Sequence, residues 1–228
     1  MIDLDVLFTP VERIDETLSG LFESAPFAVA LGVAFLLGLR HATDPDHLMA
    51  VTSLVVRDDG STRSATRLGA LWGAGHAAAL LAIGLPLILL GTALPPALES
   101  TAEKAVGVVI LLLAIRVLAR WARRRHPDPG HEHPLRTPRA AFGIGLLHGL
   151  AGTGAVVLLL IAALPSKLEA SLALAVFAPM SVVSMALCTS GFAWTLTRPA
   201  IMPVYHAIVM PALGATGLLF GLWYIGLT

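Results

Sequence analysis

The feature that most constrains this chain is a series of stretches, each about 20 residues long, that carry no charged side chain. As a helix, such a stretch spans a hydrocarbon layer about 30 Å thick. Apolar residues make up 56% of the 228 residues and charged residues only 13%. A water-soluble globule cannot bury that much apolar surface, so the sequence predicts an all-α polytopic membrane protein.

Six membrane-spanning helices are predicted, at residues 26–56 (interrupted), 68–91, 103–121, 139–164, 168–195 and 201–226. The resulting organisation is an N-terminal segment (1–25), helices 1 to 3 (26–121), a loop rich in Arg and His (122–138) and helices 4 to 6 (139–228). In the N-terminal segment a capping box at Thr9–Glu12 predicts an amphipathic helix, which lies on the membrane surface or is an ordinary soluble helix.

Lys and Arg residues are distributed unequally between the two sets of loops. Three fall on the side of the termini and eleven on the side of the loops 57–67, 122–138 and 196–200. Short loops rich in Lys and Arg stay in the cytoplasm, so both termini are expected outside the cytoplasmic membrane. The net charge of zero argues against a nucleic-acid partner, and the single Cys188 excludes a CxxC redox pair.

A short internal repeat suggests how the six helices are related. Residues 35–42 can be laid over 142–149 at an offset of 107, which matches Phe, Gly, Leu and His. Two halves of three helices each must insert upside down relative to each other, as in the inverted repeats of many secondary transporters. We therefore expect a 3+3 inverted repeat.

Two histidines and two aspartates interrupt the first hydrophobic span in the segment HATDPDH, residues 41–47. An ionisable group near the bilayer centre costs at least about 2.5 kcal/mol, so such a cluster indicates a function. The alternative is a loop that joins two short interfacial helices. Because Pro45 cannot continue a helix and Asp44 is a good N-cap, we expect the first helix to be broken here.

The residue types in this segment suit a metal ion. Imidazole nitrogens together with carboxylate oxygens favour nickel, cobalt, zinc, copper and iron over magnesium or calcium. Arg40 has Asp44 four residues later and can pair with it, which leaves Asp46 for the metal. His41 and His47 would point apart in an unbroken helix, and the break allows them to converge.

Two further histidines are predicted at the same depth as His47. His76 on helix 2 and His148 on helix 4 each lie about 13–15 Å from the cytoplasmic end of their helix, at 1.5 Å per residue. Each is a candidate ligand, and the alternative for each is a histidine that packs helices together. The candidate metal residues are therefore His41, Asp44, Asp46, His47, His76 and His148.

The loop at 122–138 carries His126, His131 and His133 among Pro, Gly and Arg residues. It is too polar and too rich in helix breakers to fold by itself. We interpret it as a solvated linker whose arginines fix the topology, with a weak metal-collecting segment as the alternative.

The segment His41-x4-Asp46-His47, preceded by Arg40, resembles the HX4DH signature of the nickel/cobalt transporter (NiCoT) family, and Gly75-His76 resembles that family's Gly-His element. The resemblance implies that His41, Asp46 and His47 recognise nickel or cobalt, with Asp44 and His76 nearby. Pro45 replaces the usual Ala, six spans replace eight, and residues 147–154 lack the acidic LGxDTATE-like element. The chain is similar to a shorter, urease-associated branch.

The function expected from these features is secondary transport of Ni²⁺ or Co²⁺, with the metal as substrate and no prosthetic group. No Walker-type phosphate loop occurs, so the chain is not expected to hydrolyse ATP. One alternative is a membrane component that delivers nickel to enzyme-maturation proteins. Another is an intramembrane metalloenzyme, although HExxH is missing. Expected partners are the metal ion and the lipid bilayer, and an oligomer is compatible with the sequence.

Overall fold

The computed structural model describes residues 27–44, 47, 62–122, 137–196, 198 and 200–226. Within these ranges every regular element is helical, which confirms the all-α prediction. In chain order they are α1 (Phe27–Arg40) with a 3₁₀ turn (His41–Thr43), α2 (Thr62–Leu90), α3 (Pro96–Ala122), α4 (Pro138–Ala163), α5 (Lys167–Leu196) and α6 (202–224). The predicted N-terminal helix and the His-rich segment 126–133 lie outside the described residues.

The protein is a polytopic membrane protein. Among the described residues, four helices are long and apolar enough to cross a membrane, at Thr62–Leu90, Pro138–Ala163, Lys167–Thr195 and Ala207–Tyr224, and Phe27–Thr43 is a shorter apolar helix. Exposed tryptophans lie near the C-terminal ends of three helices, as Trp121 on α3, Trp194 on α5 and Trp223 on α6. Tryptophan at helix ends is typical of the two membrane interfaces.

Two helices start earlier than the hydrophobic spans predict. α2 begins at Thr62, and its first two turns carry Arg63 and Arg67, whereas the predicted span begins at 68. α3 begins at Pro96, and its first turns carry Glu99, Glu103 and Lys104, whereas the predicted span begins at 103. Charged helical turns extend a helix beyond the hydrocarbon layer, so apolar length defines the membrane-spanning part and not the helix end.

Local interactions fix the ends of the later helices. The Thr137 hydroxyl accepts a hydrogen bond from the Ala140 N–H at the start of α4, and the Ser166 hydroxyl accepts one from the Glu169 N–H at the start of α5. α2 ends at Gly91, whose φ of 69° is the left-handed conformation that favours glycine. The Lys167 ammonium donates to the Leu89 carbonyl and ties these ends together.

Two helices each contain a π-helical turn that is explained by a proline. α2 contains a π-helical turn at Leu80–Gly84 and α6 contains one at Tyr205–Val209. Pro86 and Pro211 follow, and a proline ring clashes with the carbonyl four residues before it. Those carbonyls belong to Ala82 and Ala207, which lie within the two π turns, so the wider turn accommodates each proline.

Close contacts at glycines define how the helices pack. Gly145 of α4 lies against Trp72 and Gly149 against His76, so α4 runs parallel to α2. Gly69, Gly73 and Gly84 of α2 lie against Thr189, Val182 and Leu174 of α5, which makes that pair antiparallel. α1 packs on α5 through Gly38, and α6 packs on α3 through Gly107 and Gly214.

The same contacts follow the 107-residue offset, which relates α1 to α4, α2 to α5 and α3 to α6. Gly107 of α3 packs on Ile225 of α6, and the residues 107 positions away, Gly214 and Leu118, pack on each other. Gly38 lies against Phe177 and Met180. The residue 107 positions after Gly38 is Gly145, which lies against Trp72. The residue 107 positions after Trp72 is 179, so this contact corresponds to that of Gly38 with 177 and 180. The two halves are therefore packed as an inverted repeat predicts.

The α2–α4 contact provides a stability test with a matched control. A Cβ at Gly145 would overlap the Trp72 carbonyl, whereas a Cβ at Gly143 on the same helix meets nothing within 4 Å. We expect Gly145→Ala to destabilise the protein by at least about 1–3 kcal/mol. Gly143→Ala should be neutral or stabilising by up to about 1 kcal/mol because alanine favours helix. Thermal unfolding in detergent measures both, and equal melting temperatures would contradict this packing.

Candidate metal centre

The first helix is broken where the sequence predicts. α1 ends at Arg40, the 3₁₀ turn covers His41–Thr43, and Asp44 is extended with ψ of 143°. The predicted restart at Pro45 lies outside the described residues, while His47 is again helical. The break therefore separates His41 from His47 within the bundle.

A serine from α5 holds this break. The Ser184 hydroxyl donates to the Leu39 carbonyl and accepts a hydrogen bond from the Ala42 N–H at 3.2 Å. These two backbone groups are three residues apart and would pair directly in a continued 3₁₀ helix. The inserted hydroxyl satisfies both of them and fixes the backbone on either side of His41.

Three histidines converge next to the break. The ligand nitrogens of His41, His47 and His76 all lie within 4.8 Å of one another. The Nε2 atoms of His41 and His76 are 2.8 Å apart, and the ring centroid of His47 is 4.3 Å from that of His41. His47 and His76 are buried and His41 is largely buried. The structure thus brings together three candidates from two separate segments of the chain.

His148 lies against this group from α4. Its ring centroid is 4.5 Å from that of His47 and 6.3 Å from that of His76. It is buried, but it is not one of the three residues whose ligand nitrogens converge. The histidines of α2 and α4 are therefore at one level with His47, as their distances along the helices predict.

Asp44 is engaged by its neighbours. Its Oδ1 lies 3.2 Å from the Arg40 guanidinium, which is the predicted pair, and its Oδ2 lies 3.2 Å from His41 Nδ1. A carboxylate on Nδ1 orients the ring and leaves Nε2 directed at the cluster, which is how ligating histidines are held in metal sites. Asp46, the other predicted carboxylate, lies outside the described residues.

Aromatic rings enclose the histidines on two sides. Phe177 of α5 lies 5.2 Å from His41 between ring centroids. Trp72 of α2 is fully buried and lies 5.3 Å from His47 and 5.9 Å from His148. These rings keep the imidazoles in an apolar environment, where interactions with a cation are less screened than in water.

The arrangement is suited to a borderline transition metal. Imidazole binds such ions at about 2.0–2.1 Å, which in a tetrahedral site places the nitrogens about 3.3 Å apart. His41 and His76 would separate slightly and His47 would approach, so small side-chain movements suffice. Hard cations such as Mg²⁺ prefer oxygen ligands and match three imidazoles poorly.

The sequence is similar to a protein named as a urease accessory protein and to one named as a nickel/cobalt efflux system. It is 28% identical over 207 residues to "Urease accessory protein UreH" of Bacillus sp. (strain TB-90), and the match covers 86% of this chain and 90% of that protein. It is 28% identical over 134 residues to "Putative nickel/cobalt efflux system MJ1092" of Methanocaldococcus jannaschii, covering 58% of this chain and 60% of that protein. Both likenesses support a relationship to NiCoT-like membrane proteins.

A third similarity is to a plant protein. "Chloroplast protein FOR GROWTH AND FERTILITY 1" of Arabidopsis thaliana is 28% identical over 169 residues, which cover 66% of this chain and 46% of that protein. The chain therefore spans less than half of its length. No protein-family model matches the sequence, and no solved structure matches it significantly.

The sequence pattern does not identify Ser184, Phe177 or Trp72 as residues of the site. Trp72 had a usable signal, since it lies one turn before His76 and shares its helix face. Ser184 and Phe177 lie in the part of α5 (170–196) that carries no charged side chain, and only the crossing of α1 and α5 places them at the break.

Ser184 and Ser181 form a matched pair for testing the break. Both are buried on α5, but among the described residues the Ser181 hydroxyl donates to the Ala178 carbonyl of its own helix and bridges no other helix. Ser184→Ala leaves two backbone groups of another helix without this partner, so we expect a loss of about 1–3 kcal/mol in stability. Ser181→Ala should cost clearly less. Melting temperatures in detergent measure the difference, and equal losses would show that the bridge contributes nothing.

Proposed function

We propose that this chain is a secondary transporter that moves Ni²⁺ or Co²⁺ across the cytoplasmic membrane. The observation that carries the proposal is the convergence of His41, His47 and His76 beside a broken helix inside a membrane bundle. Intramembrane ionisable groups are costly and mark ion pathways by default. The metal is the transported substrate, and no prosthetic group is required.

Charge supports Asp46 as a fourth member of the site. The guanidinium of Arg40 offsets the carboxylate of Asp44. Neutral imidazoles bring no charge against a divalent ion, and an uncompensated charge in hydrocarbon is costly. Asp46 directly precedes His47 in sequence. We therefore assign His41, Asp46, His47 and His76 to ion binding and Asp44 to orienting His41.

The inverted packing supports alternating access. Contacts that join the two halves recur at the 107-residue offset, so the two halves can exchange conformations around a shared centre. With this topology the loops rich in Arg lie in the cytoplasm and both termini lie outside. Ligand histidines and carboxylates must lose protons to bind metal, so coupling to the proton gradient is expected.

A second candidate is delivery of nickel to an enzyme-maturation system. It is favoured by the similarity to a protein named as a urease accessory protein, which extends over most of both chains. The names of the relatives fit both candidate functions, because one is named for an accessory role and another for efflux. None of the three relatives described above carries an enzyme name. Transport by the purified chain alone distinguishes the two candidates.

The deciding experiment is metal flux in proteoliposomes. The purified full-length chain is reconstituted, and the movement of Ni²⁺, Co²⁺, Zn²⁺, Mn²⁺ and Mg²⁺ is followed with and without an imposed pH gradient. We expect movement of Ni²⁺ or Co²⁺ that responds to the gradient, and no movement of Mg²⁺. Absence of flux combined with tight metal binding would replace transport by delivery.

Substitution of a proposed ligand should strongly reduce or abolish flux. We expect His47→Ala and Asp46→Ala each to lower Ni²⁺ or Co²⁺ flux at least about 10–100-fold, because each removes a group that binds the ion. Membrane insertion and elution from a sizing column should be unchanged. Flux at the wild-type rate in either variant would refute the assignment of that residue.

Deleting the His-rich loop is the control that shows whether losing histidines outside the helices also lowers flux. Deleting residues 126–133 removes His126, His131 and His133 but leaves the helices intact. If the loop is a linker, flux at saturating metal should stay within about twofold of wild type, the range of ordinary surface changes. A complete loss of flux would instead show that the interpretation of the loop as a linker is wrong.

A further inference from the structure

His41 and His148 occupy equivalent positions in the two halves. The 107-residue offset that relates the glycine contacts of all three helix pairs also relates these two histidines. Each packs against an aromatic ring of the second helix in the other half: His41 against Phe177 of α5, and His148 against Trp72 of α2. The repeat therefore presents one imidazole from each half to a common centre.

His47 lies between them. Its ring centroid is 4.3 Å from that of His41 and 4.5 Å from that of His148. His76 is closer to His41, with centroids 4.7 Å apart, than to His148, at 6.3 Å. Two histidine triads thus overlap and share His47 and His76, and in the described part of the chain only the triad with His41 has converging ligand nitrogens.

We propose that these triads are two successive coordination sets for one translocated ion, an inference that rests on the proposed transport function. In the conformation that the structure has, His41, His47 and His76 would hold the ion. When the halves exchange conformations, His148 approaches as His41 withdraws, so the bond to His148 forms as the bond to His41 breaks.

Sharing two ligands gives this exchange a physical advantage. A divalent ion that lost its whole coordination shell inside the bundle would face a large desolvation penalty. Replacing one imidazole by another keeps the total charge and the number of nitrogen ligands constant during the step. The inverted repeat supplies the symmetry, because each half takes up the conformation that the other had.

The test separates binding from turnover. Co²⁺ is titrated into the purified full-length chain in detergent and followed by its visible absorption, and Co²⁺ flux is measured in proteoliposomes. We expect His148→Ala to keep the wild-type spectrum and a Co²⁺ affinity within about threefold, because His148 is not one of the three histidines that hold the ion first. Flux should fall at least about tenfold. His41→Ala should lose both binding and flux.

Two results would overturn the proposal. If His148→Ala weakens Co²⁺ binding as strongly as His41→Ala does, all four histidines form one site. If His148→Ala supports wild-type flux, His148 only packs helices together. His148→Gln, which nearly preserves side-chain volume, serves the same test if the alanine variant does not fold. Failure of the wild-type chain to bind or move either Co²⁺ or Ni²⁺ would refute the proposed function itself and is a distinct outcome.

Discussion

Hydrocarbon provides no hydrogen-bonding partners, so every backbone amide and carbonyl of a helix that ends inside a membrane bundle needs a partner from the protein. α1 ends in this way at Arg40. The Ser184 hydroxyl pairs with Leu39 and Ala42, the Thr43 hydroxyl donates to the Arg40 carbonyl at 2.7 Å, and the Asp44 N–H donates to the His41 carbonyl at 3.2 Å. Because these bonds satisfy the break, His41 can leave the helical path and turn toward the other histidines.

The histidines can converge only because the helices that carry them pack closely. Packed helix axes are ordinarily about 8–10 Å apart, a distance set by the side chains between them. Here Gly75, Gly145 and Gly149 remove those side chains from the α2–α4 contact, and Gly38 does so where α1 meets α5. Small residues serve this role in membranes because association there depends on close packing rather than on exclusion of water. The glycines therefore determine how near His76 and His148 come to His47.

The sequence predicts the class of fold, the break and the depth of the histidines, because each follows from hydrophobic length, proline chemistry and the rise per residue. It does not predict the start of α2 at Thr62, since polar helical turns outside the bilayer leave no hydrophobic signal. Nor does it predict Ser184 or Phe177, which depend on how α1 crosses α5. The repeat covers only eight residues in the sequence, but contacts such as Gly107–Ile225 and Gly214–Leu118 extend its offset to the whole bundle.

Charge balance constrains how tightly such a site can hold its ion. Arg40 and Asp44 cancel, so Asp46 leaves the motif with one negative charge, and a bound dication on the proposed ligands changes this to one positive charge. A second free carboxylate would neutralise the ion fully and deepen the binding well. A pathway needs binding strong enough to admit the ion and weak enough to release it. In the proposed site, the pairing of Asp44 with Arg40 and His41 would therefore do more than orient a ring, because it would leave the charge of the bound ion partly uncompensated and so favour its release to the next ligand.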